Sequence, residues 1–229
     1  MTVEPFAVRD CALVAIATGR RARSLREFQE ALLQVPQECI YYHFWGRLLR
    51  PRFDDTEFHN DFSTWARYSL YDEILSERLA VIDPADFSDL EALRREVAEV
   101  VATRLEEATV AEEQHGPAEQ LVARHDRQFH FRRCQTVVFD TGVRIIDPAR
   151  LALAIPAMSV GSIYYHVIDA RRRNPVRIDD FRSWLACFGS RYATLGERLD
   201  CVDPYFSNLA ELRTRLAGIA ASFFGQAIP

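Results

Sequence analysis

The sequence predicts a mainly α-helical protein, built as a tandem duplication of a helical unit of roughly 100 residues. Two observations carry that prediction. The tetrapeptide Ile40-Tyr41-Tyr42-His43 returns unchanged, 123 residues on, as Ile163-Tyr164-Tyr165-His166. Around both copies the apolar residues recur at helical spacing behind recognisable caps. A short strand or hairpin at the start of each unit is left open.

The match between the copies runs without a gap from Phe6 to His43 against Phe129 to His166, pairing Arg9 with Arg132, Cys11 with Cys134, and Thr18-Gly19 with Thr141-Gly142. The offset then shortens to 119: Asp61-Phe62 answers Asp180-Phe181, and Trp65 answers Trp184. The first segment reads two ways. The apolar run from Cys11 to Ala17 suits a buried helix closed by Gly19, whereas Phe129-His130-Phe131 alternates and Val137-Val138-Phe139 favours a strand. Thr-Gly reads as a turn or a helix C-cap in either case.

The following helix starts at the capping box Ser24-Leu25-Arg26-Glu27 and presents Leu25, Phe28, Leu32 and Val35 on one face. Its second copy has Asp147 as cap, Pro148 at the first helical position, and Leu151, Ile155 and Met158 as the face. The helix with the tetrapeptide follows from about Pro36 or Ser159. A short aromatic helix carries Phe58, Phe62 and Trp65, or Phe181, Trp184 and Phe188. Another holds Leu75 and Leu79, or Leu195 and Leu199, and stops at Asp-Pro. A last helix begins at Ser88-Asp89 or Ser207-Asn208. Between the copies, Glu- and Gln-rich sequence broken at Gly116-Pro117 reads as a helix extension and then a linker. The predicted organisation is repeat unit one over residues 1–108, linker over 109–128 and repeat unit two over 129–229, with the units related by a pseudo-twofold axis as in a fused dimer.

Several function classes are excluded. All 28 basic residues are arginine, so the P-loop lysine, the kinase strand lysine and any Schiff-base lysine are missing. Gly-x-Gly-x-x-Gly, Gly-x-Ser-x-Gly and His-Glu-x-x-His do not occur. A net charge of -5 argues against nucleic acid as partner. No apolar run approaches the ~20 residues of a membrane helix. Five cysteines without a Cys-x-x-Cys pair read as reduced thiols in a cytoplasmic protein.

The Thr-Gly ahead of Ser24-Leu25-Arg26-Glu27-Phe28, then Ile40 to His43, Asn60-Asp61-Phe62-x-x-Trp65 and Glu77-Arg78-Leu79, together resemble the pattern of an uncharacterised family of bacterial and archaeal proteins, a domain of unknown function. The resemblance covers both halves. It departs at Asp179, which stands where the first copy has Asn60, and at the missing Leu-Arg-Glu-Phe of copy two. It implies a mostly helical unit and no catalytic residues.

His43 and His166, each with an acidic residue downstream (Asp61, Asp180), are the candidates for chemistry. A His/Asp pair can act in general acid–base catalysis or bind a metal. It can equally be a buried histidine bonded to a carboxylate, holding two helices together. Tyr42, Trp65, Tyr165 and Trp184 are candidate ligand contacts, as an aromatic floor for a sugar or flat molecule, or else core. Arg78 and Arg198 are candidates for clamping a ligand, or for interhelical salt bridges. The clusters Arg20-Arg21-Arg23 and Arg171-Arg172-Arg173 read as solvated faces with local ion pairs or as phosphate sites. No metal and no cofactor is expected. The leading expectation is a non-catalytic protein that binds a protein or small-molecule partner; the alternative is a metal-assisted hydrolase or other enzyme using His43, Asp61, His166 and Asp180 in a site shared between the repeats.

Overall fold

The computed structural model describes residues 3–49, 58–115, 121–203 and 208–225. The described residues are 62% helical, but two long strands paired antiparallel make the fold mixed α/β. Strand β1 spans Phe6–Ala22 and β2 spans Phe129–Ile145. Two hydroxyl bonds give the register: Thr18 donates to the Phe131 carbonyl at 2.7 Å and Thr141 to the Val8 carbonyl at 2.6 Å.

The chain divides into two compact units, and the divisions fall inside the strands. A central unit comprises Val14–Gln135; a terminal unit comprises Met1–Leu13 with Thr136–Pro229. Each therefore draws one strand segment from β1 and one from β2. The expectation of a mainly α tandem of self-contained repeats is overturned on both counts. The ambiguous first segment is strand in both copies, and its first part (residues 6–13 or 129–135) lies in a different unit from the helices that follow it. Thr-Gly is neither turn nor C-cap. Gly19 and Gly142 sit within the strands at φ +76°, a conformation that glycine adopts without steric cost, and pairing continues past them. The predicted boundary at 109–128 likewise differs from the observed divisions; Gly116-Pro117, Pro204 and Ser207 lie outside the described residues.

In the central unit, α1 (Leu25–Gln34) starts at the predicted capping box, with Ser24 and Glu27 satisfying each other's backbone N–H groups. It is followed by α2 (Gln37–Trp45), α3 (Asp61–Tyr68), α4 (Glu73–Ala80) and α5 (Leu90–His115). Phe28 is the hub of the core: its ring meets Phe62, Trp65, Phe129 and Phe131 at centroid distances of 5.1–5.6 Å. Burial of each such ring contributes about 1.5–3 kcal/mol. Leu93, Val97 and Val101 close the core from α5, which packs on α1.

In the terminal unit, Asp147 caps a single turn at Pro148–Arg150 that leads into α6 (Leu151–Ala157). Next come α7 (Val160–Ile163), a π-helical turn over Tyr164–Asp169, α8 (Ala170–Arg173), α9 (Asp180–Ala186), α10 (Ala193–Asp200) and α11 (Leu209–Phe224). Helix α6 packs on α11 through Leu151, Ile155, Leu212 and Leu216, all buried. The strand segment seats closely on α7. A Cβ on Gly161 would stand 2.4 Å from the Cys11 carbonyl oxygen, and the Cys11 thiol donates to the Gly161 carbonyl at 3.3 Å.

Candidate functional site

Each histidine is held by three segments of its unit. In the central unit, the α2 sequence from Cys39 to Trp45 is buried throughout, and His43 is 3% exposed. Asn60 caps α3, its side chain accepting from the Ser63 N–H, so Asp61 becomes the first helical residue and its carboxylate faces back toward α2. His43 Nδ1 lies 2.9 Å from Asp61 Oδ2, and His43 Nε2 accepts from the backbone N–H of Arg132 on β2 at 3.1 Å. The guanidinium of Arg47 reaches the other Asp61 oxygen at 3.5 Å.

The terminal unit repeats these contacts at matched positions. His166 Nδ1 lies 2.8 Å from Asp180 Oδ2, and Nε2 accepts from the backbone N–H of Arg9 on β1 at 2.9 Å. Because Nε2 accepts a backbone hydrogen, the ring proton belongs on Nδ1, where it is donated to the carboxylate. Here the third member is Arg173, which donates to Asp180 at 3.0 Å, to Asp169 at 2.8 Å and to the Tyr165 carbonyl at 3.0 Å. Its guanidinium also lies over the Tyr165 ring, 3.9 Å from the centroid. The π-helical turn carries Tyr165, His166 and the buried Asp169 together; such turns concentrate at functional sites.

The tryptophans are anchored in the same paired fashion. Trp65 Nε1 donates to the Arg127 carbonyl at 3.0 Å and Trp184 Nε1 to the Glu4 carbonyl at 2.9 Å. Trp65 stacks on Phe28, and Trp184 packs against Phe6 and Phe188. The buried rings of Tyr42 and Tyr165 stand edge-on to the neighbouring histidines.

A family of unknown function, DUF5752, matches residues 3–221. The chain belongs to this family. A solved structure, OrfY from Thermoproteus tenax, is similar in fold, with a TM-score of 0.77, 24% identity and 97% of each chain covered. No curated protein matches the sequence. The family assignment agrees with the resemblance carried by the tetrapeptide and Trp65 motifs.

Within this family member the predicted candidates fall into separate groups. His43, Asp61, Tyr42 and Trp65 come together in the central unit; His166, Asp180, Tyr165 and Trp184 come together in the terminal unit. The latter four line an open cavity of about 440 Å³ with Phe6 and Arg9. Arg78 stands apart on α4, paired with Glu107 of α5 at 2.9 Å. Arg198 lines a different concavity against α11. The arginine cluster at α8 is engaged locally: Arg171 lies 3.8 Å from Asp200, and Arg172 3.1 Å from Asp169. Among the described residues no group of three or more His, Cys, Asp and Glu could hold a metal ion, and no helix is long and apolar enough to cross a membrane. Sequence reasoning missed Arg9 and Arg132 as the groups that engage the histidines. Their signal was present, since the two arginines are matched in the repeat, but a backbone N–H leaves no mark on residue type.

Proposed function

We propose that this protein acts by binding a partner or small molecule and performs no catalysis of its own. The observation that carries the reading is that both ring nitrogens of His43 and of His166 are already bonded, one to a carboxylate and the other to a strand N–H. A general base or metal ligand needs a nitrogen directed at substrate or metal. These rings instead join two helices to a strand, as buried polar groups with satisfied partners do. The net charge of -5 and the locally paired arginines favour a protein or small-molecule partner over nucleic acid. Five free cysteines are consistent with a cytoplasmic setting.

Metal analysis and stability measurements on the same samples test this. Tag-free protein is expected to carry no stoichiometric zinc or iron. His43→Gln and His166→Gln should each lower the unfolding free energy by about 1–3 kcal/mol, the cost of a disturbed buried hydrogen bond. A transition metal bound to the wild type and absent from the double variant would overturn the reading in favour of a metal-assisted enzyme.

A further inference from the structure

The cavity beside His166 sits where the central unit carries larger side chains. Four of its lining residues are Glu4, Ala7, Ser183 and Cys187. The matched positions in the central unit, at offsets of 123 for the strand segment and 119 for the helix, hold Arg127, His130, Thr64 and Tyr68. Each exchange removes volume from the terminal unit. The central unit uses its bulk: Arg127 donates to the Tyr68 carbonyl at 2.9 Å, and the Tyr68 ring meets Phe58. Two sites with the same histidine, carboxylate and tryptophan frame thus differ in the bulk of the side chains around that frame. At about 440 Å³ the space that remains falls within the usual range for small-molecule sites.

Its chemistry is specific. Phe6 and Trp184 supply apolar lining, and Tyr165 lines the cavity with the Arg173 guanidinium over its ring. Asp180 and Arg173 are committed to each other, and Asp180 also to His166. Arg9 differs: its backbone N–H is fixed by His166, and its guanidinium has the Asp140 carboxylate as an electrostatic neighbour but makes no direct hydrogen bond or ion pair among the described residues. A guanidinium on an anchored backbone offers a planar fork of donors suited to a carboxylate. The Glu4 carboxylate, also in the lining, is five residues away along the chain, about 15 Å if extended. We propose that this cavity binds a small organic carboxylate with a flat apolar body, its carboxylate on Arg9 and its body against the aromatic wall. The assignment rests on the binding reading above and gives it a ligand class.

Calorimetric titration of the full chain with benzoate and indole-3-acetate, beside acetate and inorganic phosphate, tests it. Saturable binding of the aromatic carboxylates is expected, with acetate and phosphate at least about tenfold weaker. Arg9→Gln should weaken binding by about tenfold or more, the worth of a charge-assisted pair. Arg132→Gln, at the matched position of the central unit, should leave affinity unchanged. Cys187→Tyr, which restores the central unit's bulk, should abolish binding without loss of the cooperative melt; if that variant does not fold, the contrast between Arg9→Gln and Arg132→Gln decides alone. Absence of saturable binding by both aromatic carboxylates would overturn the assignment. So would equal binding of phosphate or acetate, or a loss as large in Arg132→Gln as in Arg9→Gln. Any of these leaves the non-catalytic reading standing, because that reading answers to the metal analysis.

Discussion

Burial separates the five cysteines into two chemical classes. Cys11, Cys39 and Cys134 are buried, whereas Cys187 and Cys201 are exposed. Burial pushes the Cys11 thiol up to about 12, with Asp169 and Asp10 adding to the shift and Arg173 opposing it. Burial likewise pushes Cys39 up to about 11, against the pull of Arg94. The thiolate is the reactive species, so alkylation of native protein at pH 8 should label Cys187 and Cys201 quickly and the buried thiols only on unfolding. Peptide mass mapping over time checks this; fast labelling of Cys11 would mean that its strand segment opens readily. The same shifts set a pH dependence. Below pH 9 these thiols are protonated whether the chain is folded or not, and their contribution to stability is constant. As pH rises from 9 toward 12 the unfolded chain loses these protons while the folded chain retains them, so stability should fall across that window.

The helix caps show how a single atom changes an element's stability. Asn60 caps α3 with its oxygen and also donates its amide N–H to the Leu79 carbonyl at 2.9 Å. At the matched position, Asp179 caps α9 by accepting from the Arg182 N–H at 2.9 Å, but a carboxylate has no hydrogen to donate. Burial raises the Asp179 carboxyl above its ordinary range, only partly offset by the Arg182 N–H. A group with a raised folded pKa disfavours folding once pH exceeds its unfolded value. Asp179→Asn should therefore preserve the cap and raise stability by about 0.5–1 kcal/mol at pH 7, with a smaller gain near pH 4. Urea denaturation at the two pH values checks the magnitude and the trend.

At this scale the sequence was legible where local physics decides. The Ser24–Glu27 capping box and the leucine and phenylalanine spacing located α1, and Asn208 located the start of α11; the aromatic spacing found α3 but placed Phe58 in it, whereas the helix begins at Asp61 behind its Asn60 cap. It was misleading at β1, because the apolar run from Cys11 to Ala17 carries no alternation. The strand is buried in alternation only near Phe6 and Val8, and what fixes the rest is pairing with a segment more than a hundred residues away. The histidine sites were half legible. The carboxylate partners were visible as matched letters, whereas the strand partners are main-chain groups supplied by the other copy.

For the whole molecule, the unit divisions predict which fragments fold. Residues 14–135 contain both of their strand segments, with Thr18 bonded to Phe131 and His43 to Arg132, so this fragment should melt cooperatively by itself. Residues 129–229, the second unit expected from the sequence, lack Phe6, Val8, Cys11 and the Arg9 N–H. Phe6 alone contacts His166, Phe181 and Trp184 at 4.8–5.5 Å. That fragment should remain without a cooperative transition until a peptide of residues 1–13 is added. A cooperative melt of 129–229 alone would show that the strand segment is dispensable.

The exchange of strand segments also sets an order of events during synthesis. The central unit is complete once residue 135 has emerged, while residues 1–13 belong with residues 136–229, which are made later. At roughly 5–20 residues per second, translation of the remaining chain takes on the order of ten seconds. During that interval Phe6 and Val8 are without the surface that buries them, and the nascent chain presents an unpaired apolar strand of the kind chaperones bind. The terminal unit must then close across nearly the full length of the chain, the slowest class of contact to form. Its folding, and the cavity it contains, therefore wait until residues 136–229 have been made.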